Sequence, residues 1–340
     1  MCTKPLKAFK YGETSNGKDN YIIAAYSTDH IEISKNHTIQ RCPDHFVSDT
    51  AKDVVFNYIE IPCGKCLECR LDHARQWADR CVLEASQYDE NCFLTLTYDD
   101  LHIPTIDDVR PDTGEVVKFK TVVKKDLQDF IKRLRDRVGY KKIRYFACGE
   151  YGDQSLRPHY HLILFNYKPA DLELISKSPL GDEYFQSNFI KEVWPYGNNL
   201  VADCEWNSCC YVARYVVKKY KQDSYLKETK IEQPFILMSR RPGIGQSWFN
   251  SHNNCYAGFL ENYISTPDGS RKISHNRYFD NQLEKIDPLS LEKIKENRLY
   301  FMKMKKKGQY FQSDLPYFER LQVHERNLKN KTKVLERSLI

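Results

Sequence analysis

Residues 143–165 constrain the fold more than any other part of the chain. Ile143-Arg144-Tyr145-Phe146-Ala147-Cys148-Gly149-Glu150 is rich in strand formers. Gly152-Asp153-Gln154-Ser155 is a polar turn, and Arg157-Pro158-His159-Tyr160-His161-Leu162-Ile163-Leu164-Phe165 runs on as a second strand without glycine. Two strands joined by a turn predict a β-hairpin and an antiparallel sheet. Residues two apart on a strand share a face, so His159 and His161 emerge side by side. A hairpin that pairs 150 with 159 sets Glu150 opposite His159, with His161 diagonal to it. Two imidazoles and a carboxylate with open positions suit Mn²⁺ or Mg²⁺ acting on a phosphate. A zinc hydrolase can use the same ligands.

The flanking segments extend this pattern. A helix is expected from Leu67 to about Tyr88, with Leu71, Ala74, Trp77, Ala78, Cys81 and Ala85 along one stripe. Phe93-Leu94-Thr95-Leu96-Thr97-Tyr98 reads as a strand. Residues 124–138 read as a helix that buries Leu127, Phe130, Ile131 and Leu134. Residues 206–220 read as helical, and so does the polar region from about Pro288. Strand, helix, hairpin, helix is an α+β order, not the regular alternation of a doubly wound sheet. No glycine-rich loop opens a helix to cradle phosphates, so nucleoside triphosphate hydrolysis has no support.

Tyr211-Val212-Ala213-Arg214-Tyr215-Val216-Val217-Lys218-Lys219 carries a second signal. At about 100° per residue, Tyr211, Tyr215 and Lys218 lie along one stripe. Tyr220 faces the other way, and Lys219 lies at its margin. A phenol is a weak nucleophile near neutrality, with a pKa of about 10. A nearby ammonium and a metal-polarised phosphate meet both halves of that difficulty. A histidine-bearing metal strand with a two-tyrosine helix suggests breaking and rejoining DNA through a phosphotyrosine bond.

Pro62-Cys63-Gly64-Lys65-Cys66-Leu67-Glu68-Cys69 holds two overlapping Cys-x-x-Cys spacings. Three thiols so close suit a structural Zn²⁺ site or an iron–sulfur site. Cys42, Cys81 and His73 are candidates for a fourth ligand. Cys209 and Cys210, beside Tyr211, read as small packing residues.

No run is long and apolar enough to span a membrane, and the first residues lack a secretory pattern. The 12 cysteines are therefore expected as thiols or metal ligands in a reducing cytoplasm. The net charge is +6, but residues 271–340 hold 17 Lys+Arg against 9 Asp+Glu, a balance of +8. The first 270 residues then carry −2. A basic tail after a near-neutral body suits a polyanionic partner.

These motifs resemble a known superfamily. The 93–100 strand with its Thr-Leu-Thr-Tyr, His159-Tyr160-His161 and the 211–219 stretch resemble, in order and spacing, the three motifs of the HUH endonucleases in their two-tyrosine form. The 63–70 cluster, Gln76-Trp77, Gly149-Glu150-Tyr151-Gly152 and Met238-Ser239-Arg240-Arg241-Pro242-Gly243-Ile244-Gly245 further resemble the replication initiation proteins of the Microviridae, particularly the gokushovirus branch. The likeness spans about residues 60–255.

The resemblance implies a central antiparallel sheet flanked by helices, with a small Cys-rich element and a basic helical C-terminal region. The expected divisions are an N-terminal extension at 1–60, an endonuclease domain at 61–255 and the C-terminal region at 256–340. Tyr211 and Tyr215 would be the nucleophiles and Lys218 the helix lysine. Glu150, His159 and His161 would hold Mg²⁺ or Mn²⁺, and Cys63, Cys66 and Cys69 a structural Zn²⁺. The implied activity is a nick at a viral origin that leaves a 5′-phosphotyrosine and a 3′-hydroxyl primer, with later rejoining to a circle. The implied partners are single-stranded viral origin DNA and the host polymerase and helicase, in the cytoplasm of a bacterial host, with no membrane. A transposase or relaxase would share the chemistry. A non-catalytic, zinc-stapled DNA-binding protein would keep the cysteines but need neither Tyr211 nor the histidine metal. Tyr98 is expected to be free to stack on a base.

Overall fold

Two units emerge in a computed structural model that describes residues 2–335, apart from 111, 153–154, 179–180, 219–229, 259–261, 267–268, 274–275 and 311–313. One unit is Met1–Asp72 with Tyr310–Ile340, and the other is His73–Gln309.

In the first unit, β1 (Leu6–Glu13), β2 (Asp19–Ala24) and β6 (Tyr58–Ile61) form a sheet in the order β2-β1-β6. A second sheet has the order β4-β3-β5, from β3 (His30–Ser34), β4 (Ile39–Cys42) and β5 (Ala51–Val55). Phe9, Ile22, Ala24 and Ile31 make the core between alternating polar positions. The chain then enters α1 (Leu67–Ala85). The last helix, Tyr317–Leu335, bonds back within this unit: Tyr317 donates its hydroxyl to Glu60 at 2.7 Å, and His324 Nε2 lies 3.0 Å from Glu68.

The second unit is built on seven antiparallel strands. They are β7 (Asn91–Tyr98), β10 (Arg144–Tyr151), β11 (Pro158–Phe165), β12 (Leu172–Lys177), β13 (Glu183–Ser187), β14 (Gly197–Asp203) and β15 (Phe235–Met238). Their order is β12-β13-β14-β7-β11-β10-β15, so β7 and β11 are central. The ribbon β8 (Thr105–Val109) and β9 (Val116–Lys120) interrupts the chain between β7 and α2 (Lys124–Val138). A second ribbon, β16 (Asn262–Thr266) with β17 (Gly269–Ile273), follows the helix Gln246–Gly258.

Strand parity sorts the central side chains onto two faces. Leu94, Leu96, Tyr98, Tyr160, Leu162 and Leu164 face one core with Phe130 of α2 and Ile190 of α3 (Asn188–Val193). Phe93, Phe146, Cys148, Ile163 and Phe165 face the other, with Ala78 of α1 and Val212 of α4 (Trp206–Lys218). The expected α+β class and flanked antiparallel sheet are borne out. Gly149 is required here by space. A Cβ at that position would lie 2.7 Å from the Phe235 ring on β15.

The 238–245 segment is held from beneath by charged side chains. Arg80 donates twice to the Ile244 carbonyl, at 3.0 and 2.8 Å. Glu84 accepts from Gly245 N at 2.7 Å and pairs with Arg144, which also donates to the Pro242 carbonyl at 2.9 Å. Glu84 and Arg144 are both buried, so each satisfies a charge the other could not leave unpaired. Farther on, Phe279, Leu283, Leu291 and Ile294 share a core with Leu83, Phe249 and Tyr256. The basic region is therefore partly core and not wholly a solvated tail. Among the described residues no helix is long and apolar enough to cross a membrane.

Candidate functional site

The hairpin has the expected register: Glu150 pairs with His159, and Cys148 with His161. Glu150, His159, His161 and Thr95 all project from the face that α4 covers, because His161 also pairs with Thr95 on β7. Glu150 Oε1 lies 2.9 Å from His159 Nε2 and 3.1 Å from His161 Nε2. The two imidazole centroids are 4.8 Å apart. Glu150 and His161 are buried, and His159 is half-buried.

Each imidazole is fixed from behind. His159 Nδ1 lies 3.0 Å from the Arg157 carbonyl, which can only accept. Nδ1 therefore carries the hydrogen, and in the neutral ring Nε2 presents a lone pair to a carboxylate oxygen. Two acceptors 2.9 Å apart need a cation between them or a proton on the ring. His161 Nδ1 lies 2.9 Å from Thr95 Oγ1. Burial works against the Glu150 charge, but the bonds from His159 and His161 outweigh it and hold the carboxyl down at about 2. The donor set is two nitrogens and one permanently ionised oxygen, which fits a divalent ion with positions left open.

Tyr211 meets this centre from α4. Its hydroxyl is 3.4 Å from His161 Nε2, and its ring stands edge-on to that imidazole with centroids 4.9 Å apart. Phe93 stacks on His161 at 5.7 Å and meets Tyr211 edge-on at 5.9 Å. Tyr215 and Lys218 follow on the same helix, but their side chains lie outside the described residues, as do Lys219 and Tyr220 altogether.

Thr95 and Phe93 were missed from sequence, although strand parity carries both: they sit two and four residues before Thr97, on the His161 face. The same parity corrects the expectation for Tyr98. It lies on the opposite face and is fully buried, hydrogen-bonded to Asp126 at 2.7 Å and to Tyr160 at 2.6 Å. Burial pushes its phenol well up, and it has no surface to offer a base.

Cys63, Cys66 and Cys69 come together as expected, and their fourth companion is Cys2. None of the three expected candidates fills that place. Cys42 is buried beside His30 and Glu32, Cys81 lies in the core with Phe146 and Ile163, and His73 is exposed. Cys209 and Cys210 are buried packing residues, as read.

Fold and site thus define an α+β protein whose central strands present a Glu-His-His centre to a tyrosine-bearing helix. The family model for the replication-associated protein ORF2 matches residues 91–220, the span from β7 through α4. Replication-associated protein VP4 of Bdellovibrio phage phiMH2K is 32% identical over 227 residues, covering 67% of this chain and 68% of that protein. Replication-associated protein ORF2 of Spiroplasma virus 4 is 32% identical over 296 residues, 84% of this chain and 89% of its own length. Replication-associated protein ORF4 of Chlamydia phage 1 is 31% identical over 234 residues, 66% and 54% respectively. No solved structure matches. The chain belongs to the replication-associated proteins of Microviridae-like phages, which bears out the narrower resemblance.

Proposed function

We propose that this chain initiates rolling-circle replication by nicking single-stranded viral origin DNA through a tyrosine, in the manner of an HUH endonuclease, and later rejoins the strand to a circle. One observation carries the reading: the Tyr211 hydroxyl stands 3.4 Å from His161 Nε2 at the edge of the Glu150–His159–His161 cluster. That is where a nucleophile for a metal-bound phosphate belongs.

Glu150, His159 and His161 would hold Mg²⁺ or Mn²⁺, whose chemistry here is to polarise the scissile phosphate. Thr95 and the Arg157 carbonyl keep both Nε2 atoms aimed at one point. Phe93 and His161 fix the Tyr211 ring, so its oxygen is positioned before DNA arrives. The Tyr211 oxygen attacks phosphorus and the bond to the 3′ oxygen breaks. The phenol loses a proton and the leaving 3′ oxygen gains one. The 5′ phosphate stays on tyrosine, so the bond energy is kept for rejoining and no nucleotide is consumed. The 3′-hydroxyl is then a primer for the host polymerase, with a host helicase opening the duplex. Tyr215, one turn along α4, is the second nucleophile, and Lys218 follows on that face by spacing.

The test is incubation with single-stranded origin DNA and Mn²⁺. An SDS-resistant adduct that chelator abolishes is expected. DNA binding without any adduct would instead support the non-catalytic, zinc-stapled binder.

A further inference from the structure

We propose that Cys2, Cys63, Cys66 and Cys69 form a closed tetrathiolate site for one structural Zn²⁺, with Cys2 as the ligand that ties the start of the chain to the head of α1. The site lies wholly in the first unit and does not depend on the nicking chemistry.

Geometry carries the proposal. All four Sγ atoms lie within 4.8 Å of one another. Zn–S bonds of about 2.3 Å in a tetrahedron give S–S edges of about 3.8 Å. Cys2 Sγ and Cys66 Sγ are 3.8 Å apart. A disulfide needs sulfurs at about 2.05 Å, so this pair is spaced for a shared ion and not for a bond. Four sulfurs with no water position make a structural set; a catalytic zinc keeps a site open.

The backbone around the cluster is arranged for thiolates. Cys66 N and Lys65 N both donate to Cys63 Sγ, at 3.2 and 3.4 Å, and Cys63 N donates to Cys2 Sγ at 3.3 Å. N–H groups aimed at sulfur stabilise the charged ligand and fix its direction. The turn that makes this possible needs Gly64, which has φ +72° and so favours glycine, although nothing crowds its Cβ position. Cys66 immediately precedes α1 and Cys69 lies in its first turn, where unpaired N–H groups favour negative charge.

The consequence is topological. The Cys2–Cys63 link closes a loop containing all six strands of the first unit. That unit has one small apolar core of four buried residues, so a metal clip replaces core that it lacks. Zinc fits better than a redox pair because nothing nearby resembles a thioredoxin-like setting.

The full chain, purified without chelator, is expected to hold one zinc that survives in a Glu150→Ala/His161→Ala variant. Iodoacetamide followed by peptide mapping should leave Cys2, Cys63, Cys66 and Cys69 unlabelled until a strong chelator is added. This needs no variant of the cluster, so misfolding cannot blur it. Cys2→Ala should weaken zinc retention at least tenfold in a chelator competition, while Cys42→Ala should leave it unchanged. Cobalt-substituted protein should show the intense thiolate charge-transfer bands of a tetrahedral sulfur site. Absence of stoichiometric zinc overturns the proposal. So does Cys2 labelling equally fast with and without zinc while the other three are protected. Nicking can fail with this site intact, and the reverse, so the two readings fall separately.

Discussion

Thr95 Oγ1 lies 2.9 Å from His161 Nδ1, on the far side of the ring from Glu150. A threonine on β7 therefore decides where the Nε2 lone pair of a histidine on β11 points. Thr95→Val keeps the shape and removes the hydroxyl. Mn²⁺ affinity should fall about 10–100-fold, the usual cost of losing such a partner. Adduct formation should recover at high Mn²⁺, and Thr95→Ser should restore it at low Mn²⁺. An unchanged Mn²⁺ dependence in Thr95→Val would remove Thr95 from the positioning role.

Glu150 gives a pH signature. Its carboxyl is held at about 2 in the fold, below the unfolded carboxylate value of about 4.3. A depressed value means the ionised group stabilises the fold above about 4.3, and that contribution is lost as pH falls toward 2. Chelator-treated protein should therefore lose stability relative to Glu150→Gln across that window, measured by urea unfolding at stepped pH. A constant difference through the window would mean the histidines do not hold the carboxylate.

The Glu84–Arg144 pair predicts a large structural effect far from any chemistry. Glu84→Ala leaves the Arg144 guanidinium buried without its partner and frees Gly245 N. Losing one member of a buried pair costs roughly 3–5 kcal/mol. The denaturation midpoint should drop accordingly. An effect under about 1 kcal/mol, typical of exposed pairs, would show that water reaches this site.

The hairpin was the most legible part of the site, and the reason is local. Strand, short turn and strand leave little freedom of register, so pairing 150 with 159 followed from spacing alone. Cys2 was not legible because a Cys-x-x-Cys window cannot see a ligand 61 positions before Cys63. Tyr98 was misread because its place at a strand end suggested exposure, whereas its parity with Leu94 and Leu96 had already assigned it to the core. Arg80, Glu84 and Arg144 lie 98 or more residues from the backbone atoms they hold, and no periodicity reports such a pairing.

The basic C-terminal region has to be tested by charge and not by deletion. Removing everything after residue 270 would strip Phe279, Leu283, Leu291 and Ile294 from a core. Lys285, Lys293, Lys295 and Lys303 are exposed and can be changed to Gln without touching it. Each phosphate on a single strand that a lysine neutralises adds about 0.7 to the slope of log affinity against log salt. The quadruple variant should bind single-stranded DNA more weakly at low salt and with a flatter slope. Equal slopes would give these lysines another role.

The tyrosine pair exposes the mechanism most directly. The Tyr211 hydroxyl is 3.4 Å from His161 Nε2, and Tyr215 follows one helical turn later in α4. Residues four apart share a helical face, so a small shift brings either hydroxyl to the same phosphate. If they alternate, Tyr211→Phe and Tyr215→Phe should each still form some adduct with a short origin oligonucleotide. Phenylalanine at 211 keeps the ring that packs against Phe93 and His161, so a loss reports the hydroxyl and not the fold. The double variant should bind DNA and form no adduct. Repeated circle closure should need both hydroxyls, because one stays esterified while the other cuts. Mass spectrometry should find DNA on Tyr211 or Tyr215. Adduct on Tyr220, or adduct persisting in the double variant, would sink the two-tyrosine reading.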